Sequence, residues 1–392
     1  MLSFKTFLKE EAEEEGEKLK HIEHLEDNPI NDGAKGFHHA IGALDQVHNH
    51  IIGGGHDSTL TMKHDGSPSI VYGHHPETGK FFVASKSAFN KNPKINYTEK
   101  DVEKNHGHAP GLVEKLKSAL HHLPKVTPKH GVYQGDVMFS GKDKKTDGDK
   151  VKFTPNTITY GAKKSSEEGK KITKAKFGIY THTQYVGPTA KSMTANYSPD
   201  LSNFNDHPDV YHRLPGHDTS KVRMSPDQHK EYAKHVAAAQ KEHNKNEHVY
   251  DAIDPIREHF KTYINHTVRT QEKPTVQGLQ KHIEDKYNNK IDKFKTDAKK
   301  NETKVQLSGL VKHMALHKAN LNSVFKIHNH LTQAKNTLVN VLSHHNGGLE
   351  HEVNGQKVKP EGFVVNHEGQ LSKLNDRNEF NRLNFLKSQN RK

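Results

Sequence analysis

Cysteine and tryptophan are both absent from this chain of 392 residues. Without cysteine there are no disulfides, no thiolate metal ligands and no cysteine nucleophile, so covalent chemistry has to use another side chain. Long apolar runs are also missing, and with no stretch of about 18 apolar residues a membrane-spanning helix is excluded. The opening residues, Met1-Leu2-Ser3-Phe4, lead into a run of glutamates and lysines. That apolar patch is too short and too acid-flanked for a secretory signal, so a cytoplasmic protein, bacterial or virus-encoded, is the expectation. Acidic residues are outnumbered, 47 against 59 Lys and Arg, for a formal charge of +12. Such an excess favours a polyanionic partner, nucleic acid first, and no membrane.

What the chain has in plenty is histidine, 34 copies. Pairs occur at His48/His50, His74/His75, His106/His108, His121/His122, His328/His330 and His344/His345. They are dispersed with no repeated ligand spacing, and the H-E-x-x-H pattern of zinc hydrolases does not occur. A solvated, weakly titrating surface is the expectation for them, adding positive charge near pH ~6.5.

At roughly 100–200 residues per domain, the length suggests two or three folded units. Residues 1–52 read as helical, with Glu and Lys alternating through 5–26 and Phe37, Ile41, Leu44 and Val47 at helical spacing. Gly53-Gly54-Gly55 breaks that pattern. Short runs rich in Val, Ile, Thr, Phe and Tyr follow, at 59–63, 69–72, 81–84, 132–139, 151–153, 157–160 and 175–185, and predict strands. One helix interrupts them at 111–122, and the lysine-rich stretches 142–150 and 163–171 read as charged hairpin tips. From about Pro199 the β pattern stops. Helical periodicity fills 225–345, clearest where Leu307, Leu310, Val311, Met314, Leu321, Val324, Phe325, Leu331 and Leu338 recur. The β pattern returns at 352–354, 362–366 and 370–374. This divides the chain into an N-terminal helical segment (1–52), a β-rich core (53–195), an inserted helical domain (196–347) and a second piece of the core (348–392).

The segment with most chemical content is Thr61-Met62-Lys63-His64-Asp65-Gly66, where a lysine ends a β-like run ahead of an Asp-Gly turn. A lysine so placed serves as a nucleophile once its ammonium loses a proton, and a following glycine lets backbone approach a ligand closely. Further pieces come in order: Ser85-Lys86-Ser87, then Val132-Tyr133-Gln134-Gly135-Asp136, then Pro360-Glu361-Gly362-Phe363-Val364-Val365, then Leu371-Ser372-Lys373-Leu374 with Phe380. This set resembles the motifs of the covalent nucleotidyltransferase superfamily, which contains ATP-dependent DNA ligases, RNA ligases and mRNA capping enzymes. The likeness covers roughly 55–190 and 350–385 and is closest at Lys63-His64-Asp65-Gly66 and at Glu361-Gly362. Asp136 stands where the family has glutamate, Lys86 where it has arginine, and Leu371 where it has the first lysine of its fifth motif.

The resemblance implies an α+β fold, an antiparallel-sheet nucleotidyltransferase core (the ATP-grasp-like ligase adenylation architecture) carrying a large inserted α-helical domain. It implies ATP as co-substrate, with Mg²⁺ or Mn²⁺, and a lysyl–AMP intermediate on Lys63. Glu361 would bind metal or take the lysine's proton, and Lys373 would contact the α-phosphate. Asp136 would bind metal or a ribose hydroxyl, Lys86 the sugar or phosphate, and Thr61, Met62, Asp65 and Gly66 would surround the nucleotide. Only 12 residues follow Phe380, too few for the OB-fold domain of DNA ligases and capping enzymes, which points toward RNA ligases. The expectation is an ATP-dependent polynucleotide ligase joining 5′-phosphate and 3′-hydroxyl ends, RNA favoured. The alternatives are a DNA nick-sealing ligase and a non-enzymatic, basic, His-rich nucleic-acid-binding protein.

Overall fold

A computed structural model of the protein describes residues 22–246, 248–345 and 347–379. The helical pattern expected at 1–21 and the motif residue Phe380 lie outside the described residues. In chain order, β1 (Glu23–His24) and α1 (Asn28–Gly53) precede β2 (His56–Met62), β3 (Ser69–His74) and β4 (Phe81–Ala84). Helices α2 (Glu99–His106) and α3 (Pro110–His122) lead to β5 (Val132–Ser140), β6 (Lys144–Asp147), β7 (Lys150–Phe153) and β8 (Thr159–Lys163). Then come α4 (Glu167–Lys174), β9 (Phe177–Val186), β10 (Thr194–Asn196), β11 (Val210–Arg213) and β12 (Gly216–Asp218). Five helices follow: α5 (Pro226–His243), α6 (Arg257–Thr270), α7 (Val276–Lys293), α8 (Asp297–Leu316) and α9 (Lys318–Leu342). The last strands are β13 (Glu350–Val353), β14 (Gln356–Lys357), β15 (Phe363–His367) and β16 (Gln370–Leu374).

These elements form two units. The first holds Ile22, Gly55–Lys221 and Ser343–Leu371; the second holds Glu23–Gly54, Val222–Leu342 and residues 372–379. The chain is therefore a mixed α/β protein whose sheets are largely antiparallel, with no closed barrel among the described residues.

In the first unit the largest sheet runs β10-β9-β5-β3-β4, with β11 added in parallel to β9. Both of its faces are covered. Ile70, Tyr72, Val83, Tyr133 and Ile179 pack on Val102, Leu116 and Ala119 of α2 and α3. Val71, Phe82, Val132 and Tyr185 fill the other side with Met193. Alternate residues of β3 thus serve opposite cores, as strand geometry requires, and that is why this strand reads as a continuous apolar run. A second sheet runs β14-β13-β8-β7-β6. Across its central strand, Lys150 pairs with Glu350 at 2.6 Å and Lys152 with Glu352 at 2.8 Å. The stem of Lys152 passes over Gly161, whose missing side chain leaves it room. Strands β15, β2 and β12 form a third antiparallel set.

The second unit is helical. On α9 the buried positions Leu321, Val324, Phe325, His328, Leu331, Lys335, Leu338 and Leu342 recur every three or four residues, the stripe a core helix needs. One of them is a lysine. Lys335 is fully buried and its ammonium donates to the equally buried Glu26 at 2.7 Å. Beside them Arg377 donates to both carboxylate oxygens of Asp27, at 3.0 and 2.6 Å, and His328 meets Asp27 at 3.0 Å. Burial pushes the Glu26 carboxyl up, but Lys335 and Arg377 more than reverse this and hold it at about 2.

Four expectations change. Beyond Pro199 the β structure continues in β11 (Val-Tyr-His-Arg) and β12 (Gly-His-Asp), strands too short to show a period. The stretch 163–171 is no hairpin tip, because Ser166 caps α4 by accepting from Gly169 N–H at 3.0 Å and two glutamates fill its first turn. Residues 23–27 are a two-residue strand and a 3-10 turn rather than helix. On α8, only Met314 of the expected apolar set is buried, and Val305 and Leu316 are exposed.

The histidines also depart from expectation. His106, His122, His217, His235, His243, His328 and His351 are all buried. The three histidines of α5, His229 only partly buried among them, each meet another histidine: His229 lies 3.1 Å from His48, His235 lies 2.9 Å from His330, and the His243 ring sits edge-on to His38. A core short of Leu and Phe uses imidazole as packing material. Burial lowers His64 and His212 to about 3, and His24 and His351 to about 4, from an ordinary 6.5.

Two outcomes follow. These native pKa values lie below the unfolded one, so unfolding takes up protons once the pH drops under 6.5. Their contribution is complete above that pH, declines as pH falls, and is gone near 3–4. Each such histidine adds a slope of about 1.4 kcal/mol per pH unit, so urea midpoints should fall steeply from pH 7 to pH 5, where a flat profile would contradict this account. Separately, Lys335→Met should cost about 3–5 kcal/mol by leaving Glu26 buried without its ammonium. Adding Glu26→Gln should restore most of that in a double-mutant cycle read by denaturant unfolding.

Candidate functional site

The residues of the Lys63 segment converge on one cavity of about 190 Å³ in the first unit. Residues of five strands, β2, β5, β9, β15 and β16, line it. Strand β15 pairs with β2 so that Phe363 faces Met62 and Val365 faces Leu60, with all four side chains buried. One residue further on, the Lys63 N–H donates to Gly362 O at 2.9 Å. That register brings Glu361 to the Lys63 side chain, and the ammonium donates to its carboxylate across 298 residues of sequence. Glu361 is 4 % exposed and Lys63 34 %, so the acid is deep and the lysine opens toward solvent. On the other side of β2, Met62 N–H donates to Pro215 O at 2.7 Å.

The turn after Lys63 is anchored away from the cavity. The Asp65 carboxylate accepts from Asn156 Nδ2 at 2.8 Å and from the Thr157 and Ile158 N–H groups at 2.5 and 3.1 Å. Its own N–H donates to the Tyr160 hydroxyl at 2.6 Å. Gly66 then passes so close to β5 that a Cβ there would lie 2.6 Å from Asp136 Cβ. The same constraint explains Gly135, where a Cβ would meet Tyr180 O at 2.5 Å. Asp65 and Gly66 therefore shape the site, and their contacts are to protein.

Asp136 lines the cavity with His182 Nε2 at 3.6 Å from its carboxylate. Burial pushes its carboxyl up, but His182, Ser69 and Lys63 outweigh that and hold it below its usual value. Lys86 lines the cavity from the end of β4, at the start of a 3-10 turn capped by Ser85. Thr61, Met62 and Lys63 complete the expected residues found here. Lys373 belongs to the second unit, where its partner in the parallel β1–β16 ladder is His24, and Leu371 is the β16 residue at the cavity.

The strand expected at 175–185 to carry a base-stacking aromatic brings Tyr180 to the cavity, whereas sequence reasoning missed His64, Gln134, His182 and Asn366. The His64 ring stacks on Tyr180 with centroids 4.0 Å apart, and burial beside His351 keeps it neutral. Its Nδ1 lies 3.1 Å from Met62 O. Gln134 is held by the Tyr185 hydroxyl and donates to Ser69 at 3.0 Å. The signal for Gln134 was the two-residue strand period that it shares with Asp136. On β9 an irregularity between Thr181 and Thr183 leaves His182 out of the ladder, and His182 and Thr183 both line the cavity.

The site thus offers a partly exposed amine beside the buried Glu361 carboxyl, an ionised carboxylate at Asp136, a further lysine and an aromatic wall. Such a set can bind a phosphate ester and move a proton to or from nitrogen. No curated protein and no solved structure matches the chain. Residues 19–389 match DUF6267, a family of unknown function, and the chain belongs to that family.

Proposed function

We propose that this protein is an ATP-dependent polynucleotide ligase, RNA favoured, with Lys63 as its nucleophile. The observation that carries the reading is the Lys63–Glu361 pair, which joins the two motif segments nearest to the nucleotidyltransferase pattern at one cavity. The cavity is smaller than the ~300–1,000 Å³ of sites that enclose a whole ligand. A nucleotide would therefore seat part of its length there and leave the rest at the open side where Lys63 emerges.

In the first step the Lys63 nitrogen gives up a proton, for which Glu361 is the adjacent acceptor. Its lone pair then forms a P–N bond to the α-phosphorus as the P–O bond to pyrophosphate breaks. A 5′-phosphate oxygen of a strand next displaces the lysine, restoring the amine and moving AMP to that end. A 3′-hydroxyl finally attacks the same end, and AMP leaves as the strand is sealed. Lys86 offsets charge on the phosphoryl oxygens, and the His64–Tyr180 stack gives a flat apolar wall for a base.

The donor set suits magnesium in its usual manner, through one or two carboxylates with waters and substrate phosphates making up the remainder. Asp136, ionised and at the cavity, would be one such donor, and Glu361, buried beside Lys63, would be the other. Among the described residues no group of three or more His, Asp or Glu forms a cage by itself. When bound, the ion supplies positive charge to the departing pyrophosphate.

The test is transfer of label from α-labelled ATP with Mg²⁺ or Mn²⁺, read on a denaturing gel. Wild type should retain label, Lys63→Ala none, and Glu361→Gln should label at least about a hundredfold more slowly. GTP offered in parallel tests the capping chemistry. Sealing of 5′-phosphorylated RNA rather than nicked DNA is the expected preference, and absence of label in every condition refutes the proposal.

A further inference from the structure

Lysines of the first unit are mostly engaged. Lys150 and Lys152 hold glutamates, Lys125 holds Asp209 at 2.9 Å, and Lys144 donates to the carbonyls of Ile172 and Thr173 near the end of α4. The second unit contains the opposite arrangement. Lys286, Lys290 and Lys293 lie on one stripe of α7, and with Lys281, about half a turn round the helix from Lys290, they line a single groove of about 770 Å³ against α6. None of the four has a carboxylate partner among the described residues, and Lys290 only approaches the Phe294 ring at 5.8 Å.

The groove is built rather than incidental. Gly278 lets the helices close up, since a Cβ there would lie 2.0 Å from the Tyr263 hydroxyl, which accepts from Thr275 N–H at 3.1 Å. His266 and His282 face each other in it with ring centroids 5.4 Å apart. Two acids, Glu272 and Asp285, also line it, which leaves a surplus of two positive charges with the histidines neutral. Burial lowers His282, His266, Lys286 and Arg269 lower it further, and Asp285 works the other way.

We propose that this groove tracks the sugar-phosphate backbone of a polynucleotide strand. The proposal rests on the ligase reading for the identity of the polyanion. From Lys281 to Lys293 the helix rises ~18 Å, so the four ammonium groups are strung along that length of the groove. A phosphate backbone requires such a row of charge and no side-chain pockets. A membrane surface fits less well. The apolar residues of α7, Val276, Leu279, Ile283 and Ile291, are buried inside the unit, and no bulky apolar side chain remains on the stripe to enter lipid.

The experiment uses the full chain and a labelled single-stranded RNA, with anisotropy measured over a salt series. Changing all four lysines to Gln should weaken binding at least tenfold and reduce the slope of log K against log salt by about 3. A control with Lys299, Lys300, Lys304 and Lys312 of α8 changed to Gln should bind as wild type does. Equal loss in both variants, or none in the first, overturns the groove. So does wild-type binding to phosphatidylserine vesicles or polyglutamate that equals binding to RNA. Self-labelling by ATP is measured in the same proteins. Normal labelling with unchanged RNA binding sinks the groove and spares the ligase, while loss of binding in a chain that never labels does the reverse.

Discussion

The register of β15 on β2 is the condition on which the candidate site depends. Side chains alternate along a strand, so a slip of one residue would turn Glu361 away from Lys63 and expose Phe363 and Val365. Those two residues are fully buried, opposite the equally buried Leu60 and Met62. Apolar burial thus fixes a polar encounter. Gly362 adopts φ +145°, a conformation that side chains rarely tolerate, and the chain turns there from Glu361 into the strand. Around this pair the rest is arranged by close approach: Gly66 against Asp136, Gly135 against Tyr180, and the Asp65 carboxylate held by three donors.

The second unit answers a different constraint. Only 31% of the chain is hydrophobic, too little for cores of the usual composition in both units. Imidazole rings, a lysine and an arginine occupy interior positions instead, each matched to a partner. Burying Lys335 and Glu26 together costs desolvation that their attraction and the neighbouring Arg377 offset, and the result specifies which residue faces which more than it adds stability.

Much of this was legible in the sequence where a period or motif was strong. The strands around Ile70, Phe82 and Val132 and the helix bearing Leu116 stood out because β-branched and aromatic runs alternate with turn residues. Lys63, Glu361, Asp136 and Lys86 were legible as motif positions, and the first two meet in space. The helix Glu99–His106 was not seen, although Thr98 and Asp101 form a capping box that announces it. Lys335 was invisible because a charged residue breaks an apolar stripe on paper, and its partner Glu26 lies 309 residues away. The role of Asp65 was obscured in the same way. The donors at 156–158 are distant in sequence, and only the folded hairpin brings them near.

One property of the two units concerns the order in which the ribosome releases them. Each unit is completed from the later part of the sequence: β13, β14 and β15 finish the first, and residues 372–379 join the second. Strand β2 therefore emerges with Lys63 nearly three hundred residues before the segment that covers its edge. Through that interval the nascent chain carries an open strand edge next to an uncovered apolar face, the kind of surface that invites wrong pairing. A formal charge of +12 works against association of such a chain while it waits, a service to synthesis as well as to the finished fold.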